Sequence, residues 1–416
     1  MRSAYPQALP MPSGPSALAG VLVWLGAAAV YLLSSFVFSP GGHLFDAGRP
    51  DFYHLADALL HGRTWLEPGT ALGPWDVVVR DGRMYVPFAP FPAFVVLPLV
   101  AVVGLATAIA WEPVIAALLA GAGVALCWVL AGRLGVDRLR DRLWVTILFG
   151  FSTVTWWITV RGGVWHEGQL VTTILTFLGL IEAFGRRRPF LLGLLAGAAF
   201  LSRAPLIFAL PFWLWAVTAR QGDRGWEGGR HPGSARRWVL LGAGLAPALV
   251  LALWYNAARF GSPLESGYAL ASLPAWLDAR RAEGLFSPVH IPMNVELFLL
   301  SVPSLQSTFP FFKPDFHGMS ILVTSPGLLL AIRADWRESR SWALLAAAVL
   351  VLVPSLLYYG GGWLQFGFRY FLDSVPFVMA LVALAAARAG VGWPWRLLIA
   401  FGVLVNLAGA WWVYHT

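Results

Sequence analysis

"GRLGVDRLRDR" (132–142), an apolar run over 143–160, "VRGGVWHEGQ" (160–169), a second apolar run over 164–184, then "GRRR" (185–188) is the passage that decides the fold. Each apolar run is close to the roughly 20 residues a helix needs to cross a bilayer. Four arginines stand before the pair and three after it, while the turn between them holds one arginine, one histidine and one glutamate. Short arginine-rich loops stay on the cytoplasmic side. The passage therefore leaves the cytoplasm and returns to it.

The same reading extends in both directions. Further apolar windows lie at 17–38, 113–131, 237–258, 318–333, 341–358, 369–387 and 394–414. The gaps 132–142, 185–188, 219–237, 333–340 and 388–396, together with Arg2 and with Glu182 just before the second gap, hold eighteen arginines against seven acids. The rest of the chain holds eleven basic residues and fourteen acids. One face is basic and cytoplasmic; the other is mildly acidic and carries the two long polar loops, 39–87 and 259–317. Any chemistry is expected on that outer face.

Composition agrees. Of 416 residues, 58% are hydrophobic and only 12% charged, and mean hydropathy is +0.68. Soluble domains carry about 25% charged residues. The net charge of +8 belongs to short loops that orient helices and meet anionic lipid, so no nucleic-acid partner is expected. The single Cys127 lies in an apolar run and excludes an intramolecular disulfide. Segment 17–38 lacks a small-x-small cleavage site and reads as a retained helix. No repeat or linker divides the chain. The expectation is one all-α polytopic membrane domain over residues 1–416 with about eleven transmembrane helices, in the cytoplasmic membrane, N-terminus inside and C-terminus outside.

Two segments need separate treatment. The stretch 88–110 carries Pro87, Pro90, Pro92 and Pro98 at or near its start. If it spanned, the arginine-rich gap 132–142 would move outside, so it reads as juxtamembrane or re-entrant, covered by protein. The stretch 189–218 is basic at both ends and must go in and come back. Two short helices meeting at "SRAP" (202–205) satisfy this, since proline disfavours helix at the residue before it; one long kinked helix with Arg203 snorkelling is the alternative. Within loop 39–87, residues 51–61 place Phe52, Leu55, Ala56 and Leu59 on one face of an interfacial amphipathic helix. Asp51 is its expected N-cap, and His54, Asp57 and His61 face water.

An ionisable residue at membrane depth points to function, because leaving it uncompensated is costly. The outer clusters are Asp46, Asp51, Asp57, Asp76 and Asp81; Arg161, His166 and Glu167; and Arg369 with Asp373, four apart on one helix face. Arg203 is a fourth contributor. A carboxylate that takes a proton from a hydroxyl, beside arginines that grip phosphate bidentately, is the minimum set for displacing a phosphate leaving group. Each also has a plainer reading. A loop aspartate is ordinarily solvated, His54/Asp57/His61 is a wet helix face before it is a metal site, and Arg369–Asp373 is equally a structural ion pair. "HEGQL" (166–170) lacks the second histidine of a zinc-protease motif, and no phosphate-loop or GxSxG sequence occurs.

The segments "FDAGRPDFYHLADALLHGRTWL" (45–66), "GRMYVPFAPFP" (82–92), "RGGVWHEGQ" (161–169), "LLGLLAGAAFLSRAP" (191–205) and "FGFRYFLD" (366–373), in that order, resemble the GT-C superfamily of membrane glycosyltransferases. The nearest branch is the protein-mannosyltransferase and aminoarabinose-transferase family. The resemblance implies a sugar taken from a polyprenyl-phosphate donor at the outer face and passed to a glycan, lipid or protein acceptor. It implies Asp46 as general base, with Asp57 and Asp76 as rivals, although Ala47 stands where the family has glutamate. Glu167 corresponds to a second acid. His166, Arg203, Arg369, Tyr370 and Asp373 make the substrate-binding set, with Arg203 and Arg369 on the donor phosphate. No cofactor is required; a divalent metal is compatible with the resemblance. A flippase or transporter of lipid-linked sugar, or a non-catalytic envelope scaffold, is the alternative.

Overall fold

The computed structural model describes residues 15–40, 44, 49–67, 69–70, 72–219, 233–308 and 311–415. Helix α1 (Pro15–Phe38) is followed by α2 (Asp51–Leu60), a hairpin of β1 (Val78–Arg80) and β2 (Arg83–Tyr85), and α3 (Phe91–Val103) with α4 (Leu105–Ala110). Then come α5 (Glu112–Arg133), α6 (Leu139–Phe151), α7 (Thr155–Arg161), α8 (Val164–Ala183), α9 (Pro189–Phe200), α10 (Leu210–Thr218) and α11 (Ser234–Phe260). The remainder holds α12 (Ala275–Ala282), α13 (Ile291–Val295), α14 (Ile321–Thr324), α15 (Ser339–Leu357), α16 (Val375–Ala389) and α17 (Trp393–Trp412).

Among the described residues five helices, α1, α5, α11, α15 and α17, are each long and apolar enough to cross a membrane. A sixth crossing arises if α6 and α7, bent by 44° where they meet, form one span. Full-length helices thus account for about half of the eleven spans expected. Helix α8 has 20 residues but carries Glu167 and Glu182. Segment 318–333 is one turn of α-helix followed by a 3-10 helix, Pro326–Arg333. The proline there has no N–H to continue the ladder.

Segment 189–218 is a hairpin. Arg187, before α9, donates from Nη1 to the carbonyl of Ala219, after α10, at 2.7 Å, so both ends lie at the same end of the bundle. Helix α9 closes on α11 through glycine: a Cβ on Gly193 would strike the carbonyl of Leu241, and one on Gly244 the carbonyl of Phe190. Small residues let membrane helices approach to backbone contact. Gly193→Val is expected to cost about 1–3 kcal/mol, read as a lowered midpoint of thermal unfolding in detergent. Gly242→Ala, with open space at its Cβ, is expected to leave that midpoint unchanged or raise it.

Among the described residues, arginines of the basic gaps gather at one end. Arg396 lies 3.7 Å from Asp141, Arg388 4.0 Å from Asp335 and Arg188 2.8 Å from Glu182. The long loops gather at the other. There α2 buries Phe52, Leu55 and Ala56 against Ala93, Val96 and Val100 of α3 and Ala108 of α4. Gly104, at φ 78°, breaks the stretch 91–110 into pieces of 13 and 6 residues, each short for a crossing. Asp51 is not an N-cap as expected: Pro50 holds that position without a side-chain cap bond, and the Asp51 carboxylate is bonded instead to Arg49. Asp81 and Gly82, at φ 52° and 69°, form the two-residue turn of the hairpin, a conformation that favours Asp-Gly.

Candidate active site

The turn between α7 and α8 is built by Gly162 and Gly163, both at positive φ, 59° and 90°. The amide of Gly163 donates to the Glu112 carboxylate at 2.6 Å, and that of Val164 to the carbonyl of Arg49 at 3.1 Å. The first long loop is thereby tied to the head of α8. From that head Trp165 donates through Nε1 to Oδ2 of Asp76 at 3.1 Å. The Arg49 guanidinium lies over the Trp165 ring, 4.7 Å from its centroid, and holds Asp51 through two bonds of 3.0 and 2.6 Å and the Trp75 carbonyl at 3.0 Å. Asp76 is half-buried and sits at φ 58°, a conformation uncommon outside glycine and asparagine or aspartate. Its amide donates to the carbonyl of Ser272 at 2.9 Å, which fixes the first loop to the second.

Two guanidiniums come from far along the chain to one ring. Arg203, past the end of α9, lies 5.6 Å from the centroid of Tyr370, and Arg369 lies 4.7 Å from it. Arg369 is buried. Its backbone is pinned on both sides: its carbonyl accepts from Gln169 of α8 at 2.7 Å and its amide donates to Gln365 at 3.2 Å. Asp373 pairs with Arg203, at 3.0 and 2.8 Å, and not with Arg369. The helix-face pairing expected from their spacing is absent because residues 369–373 form a 3-10 helix, which lacks the α-helical (i, i+4) geometry. Tyr268 and Tyr358 pack with ring centroids 6.5 Å apart, and Tyr358 lies 6.1 Å from Tyr370.

Asp76 and this aromatic wall act on one another electrostatically. Burial holds the Asp76 carboxyl above the usual carboxylate range; the nearby charges of Arg49 and Arg369 and the Trp165 hydrogen bond pull the other way without cancelling it. Burial pushes Tyr268 up to about 12, with Tyr370, Asp76 and Tyr359 adding to the rise and Arg203 opposing it. Tyr359 is likewise pushed up to about 12, chiefly by burial, with Asp76 contributing. Both phenols therefore stay neutral near pH 7 and can donate hydrogen bonds.

Arg203, Arg369 and Tyr370 thus come together, with Asp373 bonded to Arg203; Asp76, held by Trp165 and Ser272, lies within electrostatic reach of Arg369. His166 is buried beside Trp157, 5.1 Å between rings, with Nδ1 on the Gly162 carbonyl at 2.5 Å. Glu167 lies deeper, buried and accepting from Tyr53 Oη at 3.0 Å. Asp57 is elsewhere, on the wet face of α2, 3.8 Å from His61. Asp46 lies outside the described residues. Arg49, Trp165, Tyr268 and Gln169 were not singled out from the sequence. "RGGVWHEGQ" contained two of them, but arginine at 49 and tyrosine at 268 carry no spacing that distinguishes them from any loop residue. Among the described residues no group of three or more His, Cys, Asp or Glu is placed to hold a metal. Two surface clefts, of about 220 and 170 Å³, are not lined by Asp76, Arg203 or Arg369.

No protein-family model matches the chain, and no curated protein is similar to it in sequence. Solved structures are similar to it in fold. The Archaeoglobus fulgidus oligosaccharyltransferase in its apo form superposes with a TM-score of 0.50 at 15% identity, over 95% of this chain and 55% of that one. ArnT from Cupriavidus metallidurans in the apo state gives 0.44 at 16% identity, over 90% and 60%. The archaeal enzyme tethered to an acceptor peptide containing the NVT sequon gives 0.47 at 15%, over 95% and 54%. The chain spans little more than half the length of these solved chains. The likeness to the apo archaeal structure is one of fold, and it agrees with the all-α membrane fold that the resemblance in sequence implied.

Proposed function

We propose that this chain is a membrane glycosyltransferase that moves a sugar from a polyprenyl-phosphate donor to an acceptor hydroxyl at the outer face of the membrane. One observation carries the reading: Arg203 and Arg369, 166 residues apart in sequence, converge on Tyr370, and the Asp76 carboxylate lies within electrostatic reach of Arg369. Trp165 occupies one oxygen of Asp76 and leaves Oδ1 for a proton. The acceptor hydroxyl gives its proton to Asp76 as its oxygen bonds the anomeric carbon. The bond from that carbon to the phosphate oxygen breaks, and the phosphate leaves with the electron pair. Charge develops on that oxygen, where Arg369 and Arg203 hold it in a water-poor setting in which fixed cations act most strongly. The polyprenyl tail lies among the apolar helices, and the acceptor arrives from the aqueous loops.

The experiment is competition binding of a labelled polyprenyl phosphate to purified protein. Hydrogen bonds to charged groups contribute about 1.5–3 kcal/mol, so Arg369→Ala is expected to weaken binding roughly 10- to 100-fold. Equal affinity in wild type, Arg369→Ala and Arg203→Ala overturns the assignment. Vesicle uptake of a lipid-linked sugar without transfer would place the chain among flippases instead.

A further inference from the structure

We infer that the acceptor is an oligosaccharide, gripped on a tryptophan corner formed by Trp276 and Trp363 above the cleft that holds Arg280. This rests on the transferase reading and names its acceptor class. The two rings meet at 5.9 Å and 75° and stay exposed, at 39% and 45%. His317 packs on Trp276 at 6.0 Å, and the Arg280 guanidinium lies 5.5 Å from the Trp276 centroid. Below them the cleft, about 170 Å³, is lined by Arg280, Glu296, Asp315 and His317 over Met293 and Leu297. It is too small for a drug-sized ligand and on the scale of one monosaccharide. Arg280 lines it, and its Nη1 is buried and makes no hydrogen bond, whereas buried donors are ordinarily satisfied.

The chemistry selects the occupant. A pyranose has an apolar C–H face that lies on an aromatic ring and a rim of hydroxyls. Those hydroxyls accept from Arg280 and donate to Glu296 and Asp315. The two carboxylates disfavour a phosphate or an anionic headgroup in the same place. The connection to the reaction is covalent and short. Trp276 stands four residues after Ser272, whose carbonyl holds the Asp76 amide, and Trp363 six residues before Arg369. Six residues span at most about 20 Å, a distance a few linked sugars cover. An oligosaccharide stacked on the corner can therefore present its next hydroxyl to Asp76.

The test is calorimetric titration of detergent-solubilised full-length Asp76→Asn protein, without lipid donor, with gluco-, manno- and galacto-oligosaccharides of one to six residues. Binding is thereby read separately from transfer, and failure of the catalytic assignment leaves the result intact. The expected result is saturable binding by at least one series that tightens tenfold or more between one and four sugars. Trp276→Ala and Trp363→Ala are each expected to weaken it at least tenfold, while Trp363→Phe, which keeps a ring face, restores most of it. Variants are compared only where thermal unfolding matches the parent; Trp276→Phe replaces any that fails. No binding by any series, or binding indifferent to both tryptophans, overturns the inference. So does strong quenching of Trp276 and Trp363 by brominated phospholipid, which would place the rings in lipid as interfacial anchors.

Discussion

Asp76→Asn is expected to lower sugar transfer from a labelled polyprenyl-phosphate donor by about 10²- to 10⁴-fold, the usual contribution of a positioned general base, with donor binding little changed. Asp57→Asn, on the wet face of α2, is expected to transfer at the wild-type rate. Asp46→Asn belongs in the same series, because the family resemblance favours that position. A full loss at Asp46 with none at Asp76 would move the base to the earlier aspartate. The pH profile gives an independent reading. Burial raises the Asp76 carboxyl, so its acid form persists to a higher pH than an ordinary carboxylate's. The base form appears only above that raised value. Activity should therefore climb with pH along a limb displaced upward from the ordinary carboxylate range. The Trp165 hydrogen bond favours the ionised form, so Trp165→Phe, which keeps a ring beneath Arg49, is expected to move the limb to still higher pH. Rate measurements from pH 4 to 9 on wild type and Trp165→Phe decide it; superimposable profiles would mean that Asp76 is not the group titrating.

Much of the architecture was readable because membrane insertion leaves few choices. Arginine cannot cross cheaply, so its positions assigned ends to segments, and the hairpin of 189–218 followed from basic residues on both flanks before the Arg187–Ala219 bond showed it. The spacing of Phe52, Leu55 and Ala56 likewise forecast α2 and its buried face. What the sequence hid was local backbone form. A 3-10 helix over 369–373 turned an expected intrahelical pair into a long-range one, Arg203–Asp373. The apolar windows also overstated how many helices run the full membrane thickness, because hydropathy does not register a Pro-Gly break such as Pro326-Gly327. At the site, the choice among five aspartates was beyond spacing alone. Among the described first-loop aspartates, Asp76 differs in its bonds to Trp165 and Ser272 and in the field of Arg49, features that only the folded loops create.

The Arg203–Asp373 pair allows structure and chemistry to be separated. The bond is short, and the side chains are 17% and 1% exposed. Removing one member of a buried pair strands the other charge and costs about 3–5 kcal/mol, so Asp373→Asn and Arg203→Met should each unfold at a clearly lower temperature in detergent. Replacing both by apolar residues of similar volume is commonly neutral or stabilising. Arg203→Met with Asp373→Leu is thus expected to recover most of the lost stability. Were the pair only a strut, transfer would recover with it. If Arg203 also faces the leaving phosphate, as its place with Arg369 on Tyr370 implies, the doubly substituted protein folds like wild type and transfers about 10²-fold more slowly, the scale of one lost oxyanion donor. Arg203→Lys with Asp373 intact gives the intermediate case: the charge remains but the fork that binds phosphate bidentately does not, so stability should hold while donor affinity falls. A stable double variant with wild-type turnover would remove Arg203 from the phosphate site and leave Arg369 as its cation.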